Sequence, residues 1–453
     1  MKLVVFGTGR VYRENKGKLD NADEITAFLD NDKKKQGKLL DGKMIFSPKE
    51  IKKLDYENIL LMSDYAAEMK EQLLNLGCPM DMISHYREYF GEKSKERITV
   101  EWDEDEDIKS WLIITSELGY HGGAIVAVYA AEELMKRGYR VVVAAPGGDA
   151  LFINEFQKRG IEFILNQNLP YLKWKKLNWV MNFQKIIVNT YPMILCALEI
   201  CPNHSVSLWL HESDNIYWEM RYWEDRIQYC ISEKNLHIYA VSETAKQNFI
   251  HNIIACDIEV LPYGIPDSKS DGENRESFLK FALIGSIHPI KQQVFFLQSI
   301  MKINNIKNIQ AEFYIIGKVA DKAYAEIVNR MACGMEHVWM IGELQRKEME
   351  KMYHNIDVVI VPSVYETMSL VATEAMMNEK VCIVSDTTGI AQYIVSGENG
   401  FVFQNGNEQN LAEKIAWCID HRDQLKYIGK RGREIYENNF TLRKMGDQLE
   451  KLL

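Results

Sequence analysis

The chain has 453 residues, a length that suggests roughly three domains, and its 47% hydrophobic and 26% charged content is that of an ordinary folded globular protein. Its formal charge of −10, from 54 basic and 64 acidic side chains, argues against a general nucleic-acid binder, which needs a basic surface. The eight cysteines form no CxxC pair and no Cys/His spacing suited to zinc, so they read as buried free thiols in a reducing compartment. The opening MKLVVFGTGR carries too short an apolar run for a signal peptide. The most apolar later stretch, 186–200, is interrupted by Asn189, Thr190, Pro192 and Glu199 and falls short of the ~20 apolar residues that span a bilayer. The expectation is a cytoplasmic protein, with the inner face of the membrane as a further place of action.

Residues 1–93 read as a small α/β unit. KLVVFGTG is a strand ending in glycines, and EITAFLDND is a second strand ending in acids. Ser47 with Glu50 three residues later forms a capping box for a helix, NILLMS is a third strand, and AAEMKEQLLNLG is a helix closed by Gly77. Residues 94–108 are polar, with an acidic run from Glu101 to Asp107, and read as a linker. A second α/β block, 109–260, opens with strand, glycine loop, helix and strand in WLIITSELGYHGGAIVAVYAAEELMKRGYRVVVAAPGG and continues through KIIVNT, VSLWLHES and IYAVSE. A third, 261–441, contains FALIGS, EFYIIGK, HVWMIG, DVVIVPS and VCIVSD with amphipathic helices between them. Alternating strands and helices predict parallel sheets. Ligands of such sheets bind beyond the carboxyl ends of the strands.

Four stretches carry candidate chemistry. In VYETMSLVATEAMM, Glu366 precedes a helix expected to start near Ser369, and Glu374 lies about 7.5 Å further along at 1.5 Å per residue. A helix start presents free amides and a positive dipole end, which suits a diphosphate. Two carboxylates flanking it can grip hydroxyls on either side, the layout of ribose, diphosphate and hexose; two solvated glutamates at a helix end are the plainer alternative. In ALIGSIHPIKQQ, Lys291 stands near a helix start, where it either neutralises charge on a leaving phosphate or lies on the surface. In SLWLHES, His211 ends a strand and serves a substrate hydroxyl or the neighbouring backbone. In LGYHGGAI, Gly122 and Gly123 permit close approach of a ligand or only a tight turn.

Taken in order, the Gly-Gly loop, the HE after a strand, VSE, VLPYGI, GSIHPIK and YETMSLVATEAM followed by GIAQYIVSGENGFVF resemble the family-four retaining glycosyltransferases of GT-B fold over about residues 110–445. The resemblance implies an α/β architecture of two Rossmann-like domains facing across a cleft. The N-terminal one (109–260) would hold the acceptor and the C-terminal one (261–441) the nucleotide sugar. A C-terminal helix, 442–453, would cross back. It implies that Glu366 holds donor-sugar hydroxyls. The backbone at Thr367, Met368, Ser369 and Leu370 would receive sugar and distal phosphate. Glu374 would bind ribose, Gly285, Ser286 and Lys291 the diphosphate, and His211 would face the sugar. His121, Gly122 and Gly123 would line the diphosphate and acceptor side. Catalysis would rest on His211, Glu366 and Lys291, with no metal and no cofactor besides the nucleoside-diphosphate sugar as co-substrate. Acceptors would be glycans, lipid-linked saccharides or proteins, as in cell-surface polysaccharide synthesis.

Two departures stand out. Many relatives carry arginine where this chain has Ser286, and serine lacks the permanently charged fork; Lys318, Arg346 and Lys347 are candidate replacements by strand-end position. Residues 1–93 resemble small Rossmann-like domains attached to sugar-modifying enzymes. Gly7, Gly9 and Asp30 half-match a dinucleotide fingerprint, but Tyr12 occupies the third glycine's place, so docking to a partner protein is the favoured reading. Tyr171–Lys185 interleaves lysines with Trp174, Trp179 and Phe183 and reads either as a membrane-surface contact or as a packed amphipathic segment. A nucleotide-sugar epimerase and a non-catalytic binding partner are the alternative functions.

Overall fold

The computed structural model describes residues 1–94, 98, 109–213, 216–217, 221–269, 278–303 and 310–452. The acidic run expected as a linker lies outside the described residues. The chain divides into two units, the first made of Met1–Tyr239 and Asn248–Ile258, the second of Ala240–Gln247 and Glu259–Leu452. The short excursion 240–247 into the second unit separates this division from a single cut near residue 260. The C-terminal helix Leu442–Leu449, expected to return to the first unit, belongs to the second. There Ile265 and Thr441 form a β-bridge, and Gly264 lies so close to Thr441 that an added Cβ would sit 2.4 Å from its carbonyl oxygen.

The first unit contains two sheets. In the N-terminal one the spatial order is Leu39–Leu40, Lys43–Phe46, Glu24–Leu29, Lys2–Phe6, Asn58–Leu61, Ile83–His85. All its pairings are parallel except the hairpin 39–46, which the alternation of apolar runs did not reveal. Ser47 and Glu50 do form a capping box, but on a short 3₁₀ turn, Pro48–Lys53. In the second sheet the strands of this unit follow the order Leu236–Ala240, Val206–Leu210, Lys185–Asn189, Ser110–Thr115, Arg140–Ala145, Glu162–Leu165. Ser110–Thr115 and Val206–Leu210 are buried along their whole length, as expected of parallel strands covered on both faces.

The second unit is built on a six-stranded parallel sheet in the order Val338–Gly342, Ala311–Ile316, Leu279–Ile284, Val358–Val361, Val381–Ser385, Phe401–Phe403. Its core joins Phe281, Leu283, Phe313, Ile315, Val358, Ile360 and Ile383 to the helix residues Phe296, Leu297 and Ile415. The apolar runs read from the sequence coincide with these strands. Order reverses between Leu279–Ile284 and Val358–Val361, and the loops beyond those two strands carry Ser286–Lys291 and Pro362–Ser369. That is the switch point at which ligands of doubly wound sheets bind.

Packing decides between the two readings of one segment and corrects one expectation about the cysteines. The Tyr171–Lys185 stretch is not an aromatic surface: Leu177, Trp179, Val180 and Phe183 are buried, Tyr171 lies edge-on to Phe90, Lys173 pairs with Glu199, and Lys176 donates to the carbonyls of Gly91 and Ser94. Most of its apolar groups are spent inside the protein, with Trp174 half-buried and Met181 exposed, so the packed reading holds. The cysteines are all free thiols, but Cys333 is exposed and Cys256 half-buried.

Gly317 ends Ala311–Ile316 at φ +152°, and an added Cβ would stand 1.9 Å from the Gly285 carbonyl oxygen. Gly317→Ala is therefore expected to destabilise the second unit by about 2 kcal/mol or more. Urea unfolding monitored by far-UV circular dichroism measures this, and an unchanged midpoint would contradict the close approach.

Candidate functional site

The second unit gathers most of the expected residues at one end of its sheet. Val358–Val361 delivers Pro362 and Ser363, and the chain then turns through 364–369 into the helix Leu370–Met377. Ser369 caps that helix, its side chain accepting from the amide of Ala372 at 3.3 Å. The turn is pinned at several points. Val364 N–H donates to the Ile290 carbonyl at 3.0 Å, Gly389 N–H to the Glu366 carbonyl at 2.8 Å, and the Ser242 hydroxyl to the Thr367 carbonyl. Gly389 has to be glycine for this approach, because a Cβ there would lie 1.8 Å from the Thr367 oxygen. Asn405 donates to the Val364 carbonyl at 3.0 Å and to the Ser385 and Thr387 hydroxyls at 3.0 and 2.8 Å, stitching the turn to two neighbouring strand ends.

Within this frame Glu366 Oε2 accepts from Lys291 Nζ at 3.1 Å and from the Ser363 hydroxyl at 2.9 Å. Both contacts use one oxygen and leave Oε1 for a ligand. The Lys291 stem runs beside Gly285, which takes φ +153°, a conformation that favours glycine; an added Cβ would make only ordinary contact, 3.6 Å, with Lys291 Cγ and Cδ. Buried Gln293 holds the intervening loop by donating to the Ser286 carbonyl at 2.9 Å. The amides of Met368, Ser369 and Leu370 have no hydrogen-bond partner among the described residues, as befits a helix start. A small cavity is lined by Leu283, Lys291, Ser363, Glu366 and Ser369.

Glu374 sits one turn inside the helix. Its Oε2 accepts from the buried Tyr353 hydroxyl at 2.9 Å, and burial raises its carboxyl above the usual range against the lowering effects of Tyr353 and the Arg346 charge. Of the three candidate substitutes for the missing arginine, Arg346 is thus electrostatically coupled to Glu374. Lys318 is exposed beside Ser286, its carbonyl accepting from Ile287 N–H at 2.8 Å, and makes no ion pair among the described residues. Lys347 is exposed on the helix Arg346–Asn355.

The first unit holds the remaining residues. His121 is exposed at the N-cap of the fifteen-residue helix Gly122–Lys136, whose first amides are open to an anion. Asn189, fully buried, donates to the Gly123 carbonyl at 2.9 Å and to the Thr115 hydroxyl at 3.2 Å, tying the glycine turn to two strand tips. Thr190 follows at φ +128°, a conformation costing a β-branched residue on the order of 1–3 kcal/mol. Its methyl faces Gly123, where a Cβ would come within 3.1 Å.

His211 stands at the end of Val206–Leu210 with its ring 4.9 Å from that of Trp209, and burial depresses its imidazole to about 3. At neutral pH it is therefore a neutral ring with one donor and one acceptor nitrogen. Its neighbour Glu212 accepts the His211 amide at 2.8 Å and also the Tyr191 amide, so one carboxylate bridges two strand ends. Desolvation outweighs those bonds and pushes Glu212 up to about 7.

Sequence reading missed Glu212, although it lies in the quoted HES. It also missed Thr190, whose strain leaves no mark in the sequence, and Tyr353 and Asn405, which reach the site only through the fold. At the N-terminal sheet, Asp30 Oδ2 accepts from Thr8 (N–H and hydroxyl) and from Lys35 at 2.9 Å, and its Oδ1 from Asp32 N–H at 2.9 Å, so most of its acceptor capacity is used within the domain. Tyr12 fills the third glycine's place with its ring on Phe28 and its hydroxyl on Asp41 at 2.8 Å.

Two parallel α/β units, the second with a lysine–glutamate pair at a helix start on its switch point, define a protein of GT-B fold. Residues 265–435 match the family described as glycosyl transferases group 1, so the second unit carries a group 1 glycosyltransferase domain. Residues 1–84 match a separate family described as C2185-like, N-terminal. Among curated relatives, an uncharacterized glycosyltransferase of Methanocaldococcus jannaschii is 29% identical over 133 residues (29% of this chain, 37% of the relative). The capsular polysaccharide biosynthesis glycosyltransferase CapM of Staphylococcus aureus is 32% identical over 100 residues (22% and 26%). The sulfoquinovosyl transferase SQD2 of Arabidopsis thaliana is 31% identical over 122 residues (26% and 24%). The chain thus spans between 24% and 37% of the length of these relatives. Among solved structures, Anabaena HepE in complex with UDP superposes with a TM-score of 0.66 at 16% identity, covering 76% of this chain and 98% of that one. WaaG, a glycosyltransferase of lipopolysaccharide biosynthesis, gives 0.56 at 11% identity, covering 75% and 98%.

The raised Glu212 carboxyl has a definite sign. A carboxyl raised on folding favours the native state fully below its unfolded value near 4.5, and that contribution is lost as pH rises through about 7. Glu212→Gln is expected to remove this decline, on the order of 1–3 kcal/mol between pH 4.5 and 8 relative to the unsubstituted protein. Parallel urea titrations at both pH values measure it; identical pH dependence in the two proteins would refute the assignment.

Proposed function

We propose that this protein is a retaining, metal-independent glycosyltransferase that moves a sugar from a nucleoside-diphosphate sugar to a carbohydrate, lipid-linked or protein acceptor. The observation that carries this reading is the Lys291–Glu366 pair beside the open amides of Met368, Ser369 and Leu370, with Glu374 one turn further on. The diphosphate sits on those amides and against Lys291. Glu366 takes sugar hydroxyls through Oε1, and Glu374, presented by Tyr353, takes the ribose. Neutral His211 donates to the sugar from the first unit, and the helix start at Gly122 and Gly123 serves the diphosphate and acceptor. The anomeric C–O bond to the leaving phosphate breaks, Lys291 offsets the charge that grows there, and the acceptor oxygen bonds to the same face of the anomeric carbon. The acceptor's proton passes to the departing phosphate oxygen. HepE, solved with UDP and with UDP-glucose, makes UDP-sugars the first donors to test.

Ser286 favours a second reading, a non-catalytic partner of another enzyme, because it withdraws a cation from the diphosphate. An epimerase would instead return an altered donor without releasing nucleoside diphosphate. A screen of UDP-, GDP- and dTDP-sugars, with and without glycan acceptors, tests all three. Release of free nucleoside diphosphate is expected, and no thermal shift with any nucleotide would leave the binding-partner reading.

Charge-assisted hydrogen bonds contribute about 1.5–3 kcal/mol each, so Glu374→Ala is expected to weaken donor binding roughly 10- to 150-fold by calorimetry; unchanged affinity would remove its ribose role. Lys318→Ala is expected to weaken binding about tenfold, and Ser286→Arg to tighten it, in the same assay. A Lys318→Ala protein that binds as well as the unsubstituted one shows that another cation faces the diphosphate.

A further inference from the structure

The N-terminal sheet is joined to the rest of the first unit by more than a tether. Helix Tyr86–Lys93 presents Gly91 against the chain at Tyr171, so closely that an added Cβ would lie 1.7 Å from the Tyr171 carbonyl oxygen. Glu88 on the same helix accepts from Trp223 Nε1 at 3.1 Å and from Arg226 at 3.0 Å. Arg226 also reaches Glu199 at 3.0 Å, so the contact is carried into the helix Ile194–Ile200. His85, 3% exposed, sets its ring edge-on to Trp223 at 4.6 Å and tilted against Tyr222 at 5.0 Å, both buried. Around this aromatic centre Arg221 pairs with Glu68 at 2.7 Å, and Lys70 stands 4.9 Å over the Tyr222 ring.

These contacts combine a dry aromatic centre with oriented charge at its rim. Domains joined only by linkers move relative to one another unless such a surface holds them. The segment held is Arg221–Ser232, which follows the His211–Glu212 strand end in the chain. At its other side, Tyr217 packs on Tyr191 and Phe249 and its hydroxyl donates to the Glu212 carbonyl at 3.5 Å. Arg221–Ser232 is therefore anchored on the N-terminal sheet, and Tyr217 separately on Tyr191, Phe249 and the Glu212 carbonyl.

We propose that residues 1–93 are a fixed buttress of the first unit, with Glu88, His85 and Gly91 as positioning residues that set the segment Arg221–Ser232, and so shape acceptor binding. The acceptor part rests on the glycosyltransferase reading; the docking part does not. The helical face of Glu68, Lys70, His85 and Glu88 is occupied within the chain and is not the surface for a protein partner of residues 1–93.

Gly91→Ala in the full chain gives a test whose sign decides. Alanine is the better helix former, so in a freely tethered domain the change raises the melting temperature. In a docked one the methyl group drives helix Tyr86–Lys93 off Tyr171, and the melting temperature falls by several degrees. Hydrogen exchange in Trp174–Leu177 and Glu224–Ser232 is expected to accelerate at least tenfold at the same time. A raised melting temperature, or unchanged exchange in both segments, overturns the docking. A milder pair follows Arg221→Glu, expected to speed exchange in Glu224–Ser232, and Arg221→Glu with Glu68→Arg, expected to restore it; failure to restore counts against the proposal. For the acceptor part, Gly91→Ala is expected to raise the acceptor KM severalfold with acceptor-free donor hydrolysis unchanged, and equal loss of both overturns it. If the unsubstituted protein hydrolyses no nucleotide sugar, the glycosyltransferase reading and the acceptor part fail together, while exchange still decides the docking.

Discussion

The contact on which the second unit's candidate site depends is the carboxylate of Glu366 held between Lys291 and Ser363. It fixes the direction of the turn from Val358–Val361 into the helix Leu370–Met377, and so aims three unpartnered amides at one point. A glutamate alone at that place would be a solvated side chain. Seated on a lysine, it becomes a preset acceptor with one oxygen to spare beside a cation. Gln293, Gly389 and Asn405 all serve this arrangement, by leaving space or by tying loops down, although none carries charge.

The strand ends of the first unit are organised by a different force, the desolvation of polar groups. Asn189, Thr190, His211 and Glu212 lie at the carboxyl ends of two adjacent strands, buried enough that His211 stays neutral and Glu212 titrates near 7. Backbone amides of His211 and Tyr191 compensate Glu212 in part, and the strained Thr190 lies between Glu212's two anchor points and the glycine turn. Local cost of this kind persists only where surrounding structure over-determines it.

The N-terminal sheet shows how a partial fingerprint misleads. Gly7, Gly9 and Asp30 have the spacing of a dinucleotide site, yet Asp30 is spent on Thr8, Lys35 and Asp32. What this domain offers instead is its helical face, turned toward the first unit.

The amino-acid sequence by itself determined the alternation of strands and helices, the three sheets, and the set Lys291, Glu366, Glu374 and His211, because strand periodicity, helix caps and collinear motifs are local properties of a chain. Only the tertiary structure decided that Lys291 pairs with Glu366, that Tyr353 presents Glu374, and that Asn405 binds the turn, since these partners are 21 to 75 residues apart or arrive from other strands. It also turned Tyr171–Lys185 from a prospective surface into an internal junction, because composition shows that a segment has apolar groups but not what will cover them. The strain at Thr190 and the raised carboxyl of Glu212 belong to the same class: both arise from being enclosed, and enclosure is a property of the folded chain alone.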